Sequence, residues 1–226
     1  VDTDPIDIDA AKRRRSKIHT TAGVMTDAVA ELTLGLMLAC LRKIALHDRL
    51  IRHGEWRKEM GVLLKGKTVG ILGMGSIGEG VARLVRACGA EILFYDTAKK
   101  RVRPYRAVTR PVLMRQADII SVHAASKECL IGKREIARMR RGVIIINTAR
   151  GTVVDERALY NGLVGGKIGA AGIDVFEQEP YRGKLTLLDN VVLTAHIGSY
   201  AREARSAMER KAVEQLINGL NKVRLL

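Results

Sequence analysis

The stretch Thr68-Val69-Gly70-Ile71-Leu72-Gly73-Met74-Gly75-Ser76-Ile77-Gly78 constrains this chain more than any other. A short, β-branched apolar run opens directly into G-x-G-x-x-G, and an amphipathic segment follows over residues 77–88. A second apolar run, residues 91–95, ends at Asp96, eighteen positions beyond Gly78. Strand, glycine turn, helix, strand and acid in that order form the layout of a dinucleotide site. Gly73 permits the tight turn, Gly75 lets backbone approach a pyrophosphate, and Gly78 lets helix and strand pack closely. The helix N-terminus offers free N–H groups and the positive end of its dipole to phosphate. Asp96 can accept hydrogen bonds from the adenosine ribose. A plain glycine-rich turn is the competing reading, and the context on both sides argues against it.

The rest of the chain alternates in the same way. Residues 6–15 read as one or two helical turns, and 16–21 as a short extended piece. Thr26 or Asp27 can cap a long helix over 27–53, apolar on nearly every side at first and amphipathic after Arg42. Trp56 follows in a polar loop, as a buried anchor or as a subunit contact. Residues 97–111 are basic and weakly patterned, a loop or a poorly formed strand and turn, and 112–116 suggest a short helix. Further strands are expected at 118–123, 142–147, 168–174 and 190–194, with helices at 133–140, 155–164 and 201–219. Such alternation predicts an α/β fold with a doubly wound parallel sheet. Asp96, His123, Arg150, Asp174 and His196 fall at the C-terminal ends of strands, the edge along which open α/β sheets bind ligands. They are expected to face one cleft.

Composition bounds the alternatives. At 226 residues the chain has room for one large domain or two small ones, and 47% hydrophobic residues suffice for a core. With only 4% aromatics, that core must be aliphatic. No run reaches the roughly 18 apolar residues of a membrane span, and the N-terminal residues lack the basic-then-apolar order of a signal peptide. Cys40, Cys88 and Cys129 form neither a disulfide framework nor a metal spacing, which suits a reducing cytoplasm. No metal is expected. The net charge of +15 is concentrated at 12–17, 99–106 and 133–141. It reads either as solvated helix faces or as an attraction for anionic partners. No basic strand studded with aromatics and no zinc spacing accompanies it, so a nucleic acid is not the expected partner.

Three residues suit acid–base and carboxylate chemistry beside a nucleotide. Arg150 has a planar fork that can hold carboxylate and carbonyl oxygens together. His196 is suited to carrying a proton, since imidazole as a group titrates near neutral pH. Glu179 can orient that imidazole and stabilise its protonated form. Each also has a structural reading: an ion pair for Arg150, a hydrogen-bonded core residue for His196. In Phe176-Glu177-Gln178-Glu179-Pro180 either acid could be a solvated loop charge.

Taken together, three motifs resemble the signature of the D-isomer-specific 2-hydroxyacid dehydrogenases, phosphoglycerate dehydrogenase-like in flavour. They are Ile146-Asn147-Thr148-Ala149-Arg150-Gly151-Thr152-Val153-Val154-Asp155, Gly172-Ile173-Asp174-Val175-Phe176-Glu177-Gln178-Glu179-Pro180 and Thr194-Ala195-His196-Ile197-Gly198-Ser199. The resemblance spans nearly the whole chain. It implies a Rossmann-type NAD(P)-binding domain over 24–200, preceded by a remnant, 1–23, of a flavodoxin-like substrate-binding domain. Residues 201–226 would be a helix that packs on that second domain. It implies that Arg150 binds the substrate carboxylate and carbonyl, that His196 gives or takes the proton, and that Glu179 is its partner. Ser76 and Ile77 would meet the pyrophosphate, Asp96 the ribose, Thr148 and Ala149 the nicotinamide side, and Asp174 the carboxamide. His196 to Ser199, with Gly198, would close the nicotinamide wall. His123-Ala124-Ala125 replaces a His-x-Pro pattern that shapes the cofactor wall, and Arg15 and Ala22 stand where glycine and proline are usual.

The implied cofactor is NAD, because a 2′-phosphate would meet the like charge of Asp96, a preference that nearby Lys99, Lys100 and Arg101 weaken. The implied reaction is hydride transfer between NAD and a 2-hydroxy acid/2-oxo acid pair, with phosphoglycerate, glyoxylate and hydroxypyruvate as the model substrates. A homodimer joined through the long helix and the Trp56 loop is implied too. The alternative is a catalytically impaired NAD-binding module that acts through protein partners.

Overall fold

The structure, a computed structural model, describes residues 6–21, 23–98 and 100–224, with the side chains of 221–224 excepted. The expectations placed on residues 1–5, Ala22, Lys99 and 225–226 lie outside the described residues.

Seven parallel strands form one sheet: β1 (Thr68–Leu72), β2 (Glu91–Tyr95), β3 (Arg106–Ala107), β4 (Ile119–Val122), β5 (Val143–Asn147), β6 (Ile168–Ile173) and β7 (Val191–Leu193). Their order is β3-β2-β1-β4-β5-β6-β7. The chain winds outward from β1 and then restarts on its other side with β4. The crevice of an open α/β sheet lies at that switch.

The helices are α1 (Ile8–Arg13), α2 (Thr26–Arg42), α3 (Ile44–Arg52), α4 (Ser76–Ala87), α5 (Arg110–Gln116), α6 (Lys133–Arg138), α7 (Glu156–Val164) and α8 (Arg202–Arg224). Side chains alternate faces along each strand and feed two cores. Val69, Ile71, Ile119, Ile144 and Ile146 pack on one face with residues of α2 and α4. Leu72, Ile120, Val122, Val143 and Ile145 pack on the other with residues of α5, α6 and α7. Burial on both faces explains why the central strands are continuously apolar.

The strand ends are level across the sheet. Tyr95 pairs with Leu72, Leu72 with Val122, Val122 with Asn147, Asn147 with Ile173, and Ile173 with Leu193. The next residue of each strand therefore belongs to one row: Asp96, Gly73, His123, Thr148, Asp174 and Thr194. Backbone bonds carry the ladder into that row, from Gly73 N to Tyr95 O, His123 N to Leu72 O, Asp174 N to Asn147 O and Thr194 N to Ile173 O.

Three expectations change. The helix over 27–53 is two helices, broken at Lys43, whose φ of 53° is left-handed. Neither Gly nor Pro marks the break, so the apolar pattern runs through it. The turn lets Lys43 Nζ reach Glu59 (3.2 Å) and Arg49 reach Asp189 (3.0 Å). Neither Thr26 nor Asp27 caps α2; Met25 is its N-cap without a side-chain bond, and Asp27 pairs with Arg83 instead. Trp56 is no buried anchor: it is 84% exposed, and Met60 and Leu63 later in the same loop are exposed as well.

Among the described residues, no helix is long and apolar enough to cross a membrane. No group of three or more His, Cys, Asp and Glu among them could hold a metal ion.

Candidate active site

The nucleotide half is shaped by backbone. Gly73 has φ +91°, and a Cβ there would lie 2.6 Å from the backbone N of Ala124. Both facts demand glycine. A Cβ on Gly78 would lie 2.1 Å from Gly73 O, so the helix start can close on the loop only without one. Gly75 differs, because a Cβ there meets nothing within 4 Å. The fold leaves room at Gly75, over the N-terminus of α4, where no side chain caps the helix. Phosphate fits that opening: free N–H groups and the dipole end both face it.

Asp96 is fixed in the same loop. Its Oδ2 accepts from Met74 N at 2.7 Å and its Oδ1 from Ala98 N at 2.9 Å. A carboxylate has about four acceptor positions, so two remain for ribose hydroxyls. Lys100 Nζ crosses to Met74 O at 2.8 Å. Of the basic residues expected to temper the preference of Asp96, this one is drawn onto the glycine loop itself. The cleft here is about 590 Å³ and is bordered by Gly73, Gly75, Asp96, Arg110, His123 and Ser126. His123 lies 2.8 Å from Ser121 Oγ through Nε2, while its buried Nδ1 has no partner. Burial pushes its pKa down to about 3, so the ring is neutral.

The second half is made by side-chain networks. Asn147, buried at the end of β5, donates from Nδ2 to Arg150 O (2.9 Å) and accepts from Ala149 N (3.1 Å), bracing the turn that carries Arg150. Arg150 Nη1 donates to Ala149 O at 2.7 Å. A Cβ on Gly151 would fall 1.9 Å from the carbonyl carbon of Phe176, so the arginine turn rests directly on the Phe176 backbone. Phe176 N in turn donates to Glu179 Oε1 at 3.1 Å, and the other oxygen, Oε2, lies 2.9 Å from His196 Nδ1. The arginine turn, Glu179 and His196 are thus linked step by step. With Nδ1 held by a carboxylate, Nε2 is the nitrogen left to exchange a proton. Both side chains of this pair are partly exposed, at 52% for His196 and 39% for Glu179, and they line a second cavity of about 630 Å³ with Phe176, Tyr181 and Leu193.

Asp174 is 1% exposed, and its carboxylate accepts from Thr194 Oγ1, Ile197 N and Gly198 N. Thr148 turns its hydroxyl toward Thr33 of α2 (2.9 Å), whose own proton goes to Val29 O. Ser76 opens α4 and Ile77 packs partly into the core beneath it. Sequence reasoning assigned no role to Thr33, Asn147 or Thr194. The last two carried a signal, since each is polar at the end of a buried strand. Thr33, inside an apolar helix, carried none.

A parallel sheet of this order, with a glycine loop at its switch and a histidine–carboxylate pair on the same edge, defines a Rossmann-type dinucleotide oxidoreductase. Residues 34–198 match the D-isomer specific 2-hydroxyacid dehydrogenase NAD binding domain. The chain belongs to this family of NAD-dependent 2-hydroxyacid dehydrogenases. It is 43% identical to a hydroxypyruvate reductase of Thermotoga maritima over 96% of its own length and 74% of that protein's. It is 40% identical to a glyoxylate reductase of Thermococcus litoralis, over 95% of this chain and 70% of that one. The crystal structure of the TT0316 protein from Thermus thermophilus superimposes with a TM-score of 0.94 at 36% identity, covering 98% of this chain and 74% of that one.

Proposed function

We propose that the chain reduces a small 2-oxo acid of the glyoxylate or hydroxypyruvate type, and oxidises the matching 2-hydroxy acid, at the edge formed by Arg150, Glu179 and His196. NAD, bound along the glycine loop, supplies the hydride donor and acceptor. His196 Nε2 gives a proton to the substrate oxygen in reduction and takes it back in oxidation. Glu179 holds the ring by Nδ1 and balances the charge of its protonated form. Arg150 holds the substrate carboxylate in its fork. The observation that carries this reading is the 2.9 Å contact between His196 Nδ1 and Glu179 Oε2, with Glu179 itself tied to the Phe176 backbone. The names of the relatives support the substrate class.

The same proposal includes the cofactor contacts implied by the family. Gly73, Gly75, Ser76, Ile77 and Gly78 take the pyrophosphate and Asp96 the ribose. His123, Thr148, Ala149, Asp174, Gly198 and Ser199 line the base and nicotinamide walls. It also includes a homodimer formed through α2, α3 and the exposed Trp56 segment, to be read from the mass in solution by light scattering. The activity test is NADH oxidation with glyoxylate, hydroxypyruvate or 3-phosphohydroxypyruvate. Turnover with the first two that survives Arg150→Ala and His196→Ala unchanged would sink the reading.

A further inference from the structure

Thr33 carries the one hydroxyl among the buried residues of α2, and it is 0% exposed. Its Oγ1 lies 2.7 Å from Val29 O and 2.9 Å from Thr148 Oγ1. Each of these oxygen–oxygen contacts needs one proton between its atoms. Val29 O carries none, so the proton of Thr33 lies on the first contact. The second must then be filled by the proton of Thr148. Only this arrangement satisfies both contacts, and it fixes the polarity of Thr148. Its one donor is spent on α2, and what it keeps is acceptor capacity. Thr148 is the member of the pair nearer the surface, at 9% exposed. It stands in the row at the strand ends beside Asp174, whose carboxylate is a further acceptor.

We infer that Thr33 is the positioning residue of Thr148: by taking the hydroxyl proton, it makes this part of the nicotinamide wall an acceptor. Such a wall selects a ring substituent that bears N–H over one that bears only a carbonyl. The inference rests on the placing of Thr148 on the nicotinamide side proposed above, and it adds a residue of another element that never meets the cofactor. Without the Thr33 hydroxyl, Thr148 loses its acceptor on α2 and can turn its proton outward, toward a carbonyl.

The test compares NAD with acetylpyridine adenine dinucleotide, in which a methyl ketone replaces the carboxamide and no N–H is left. Dissociation constants for both are measured by calorimetry on the full chain and on its Thr33→Val, Thr33→Ser and Thr148→Val variants. The quantity read is the preference, the ratio of the two constants, in which a general loosening of the fold cancels. Thr33→Val is expected to lower the preference for NAD about fivefold, the worth of one hydrogen bond. Thr33→Ser keeps the hydroxyl and is expected to stay within about twofold of the parent. Thr148→Val is expected to lower the preference about fivefold as well. Adding Thr33→Val to it should change the ratio no further, because Thr33 acts only through Thr148.

An unchanged preference in Thr33→Val beside a lowered one in Thr148→Val overturns the inference alone. A fall in Thr33→Ser equal to that in Thr33→Val assigns the effect to shape and overturns it too. An unchanged preference in Thr148→Val overturns the placing of Thr148 on the nicotinamide side, and the inference with it. Should Thr33→Val not fold, Thr33→Ala, which also lacks the hydroxyl, is read in its place against the same expectation.

Discussion

The two halves of the cleft are built by different means. On the β1 side the work falls to backbone: a left-handed glycine, an uncapped helix start and an acid held by two peptide N–H groups. On the β5–β7 side it falls to side chains. Asn147 braces the arginine turn, Asp174 gathers the histidine turn, and Glu179 ties the histidine to Phe176. A backbone site needs only a few small residues at fixed spacing and tolerates change around them. A network site fails when any one member is lost, since a buried polar group left unpaired costs its full desolvation.

Breaking the histidine–glutamate pair of the network half should therefore stop chemistry and spare cofactor binding. His196→Ala is expected to lower kcat by about 10²–10⁴-fold with NADH affinity nearly unchanged. Stopped-flow NADH oxidation beside a fluorescence titration checks this, and equal loss in both would erase the distinction between the halves. The glycines sharpen it further. Gly151→Ala places a methyl within 2.0 Å of the Phe176 backbone, so about 3 kcal/mol or more of stability is expected to go, visible in urea melts. Gly75→Ala meets no protein atom within 4 Å, and its ordinary φ of −81° suits alanine. That variant should melt within about 1 kcal/mol of the parent yet bind NADH about tenfold more weakly. A Gly75→Ala protein with unaltered affinity would mean that phosphate does not approach this loop.

The half-buried His123, whose Nδ1 is shut off from solvent, adds a pH limb. Its ring takes a proton near pH 6.5 when unfolded but only near pH 3 when folded. Between those values the unfolded state binds more protons, so stability falls as the pH drops from about 6.5, by up to about 1.4 kcal/mol per unit. His123→Gln should flatten that slope in denaturation curves taken across this range; a slope unchanged in the variant assigns it to other groups. The smallest effect concerns the thiols. Cys40, buried and pushed up to about 12, is expected to resist a thiol reagent at neutral pH, while exposed Cys88 and Cys129 react at once. Three fast thiols in the native protein would contradict that.

Much of the architecture was legible because it depends on local pattern. Apolar runs of strand length, each followed by a helical period, imply βαβ units, and the handedness and sheet order then have few solutions. The G-x-G-x-x-G loop was legible for a steric reason, since the demand for glycine at 73 and 78 is made by neighbouring backbone. The break at Lys43 was not, because a left-handed lysine leaves no mark in composition or period. Nor could spacing say that the carboxylate of Asp174 accepts from the 194–198 turn.

The alternation of elements, the glycine loop and the polar residues that follow the strands can all be read along the chain. Tertiary structure alone decided that Asp96, His123, Thr148, Asp174 and Thr194 stand in one level row, that the arginine turn rests on the Phe176 backbone, and that His196 turns toward Glu179. The reason is physical. Patterns of burial and steric allowance are written residue by residue along the chain. Where a side chain points depends on strand register and turn torsions, which are fixed only when separate segments pack against one another.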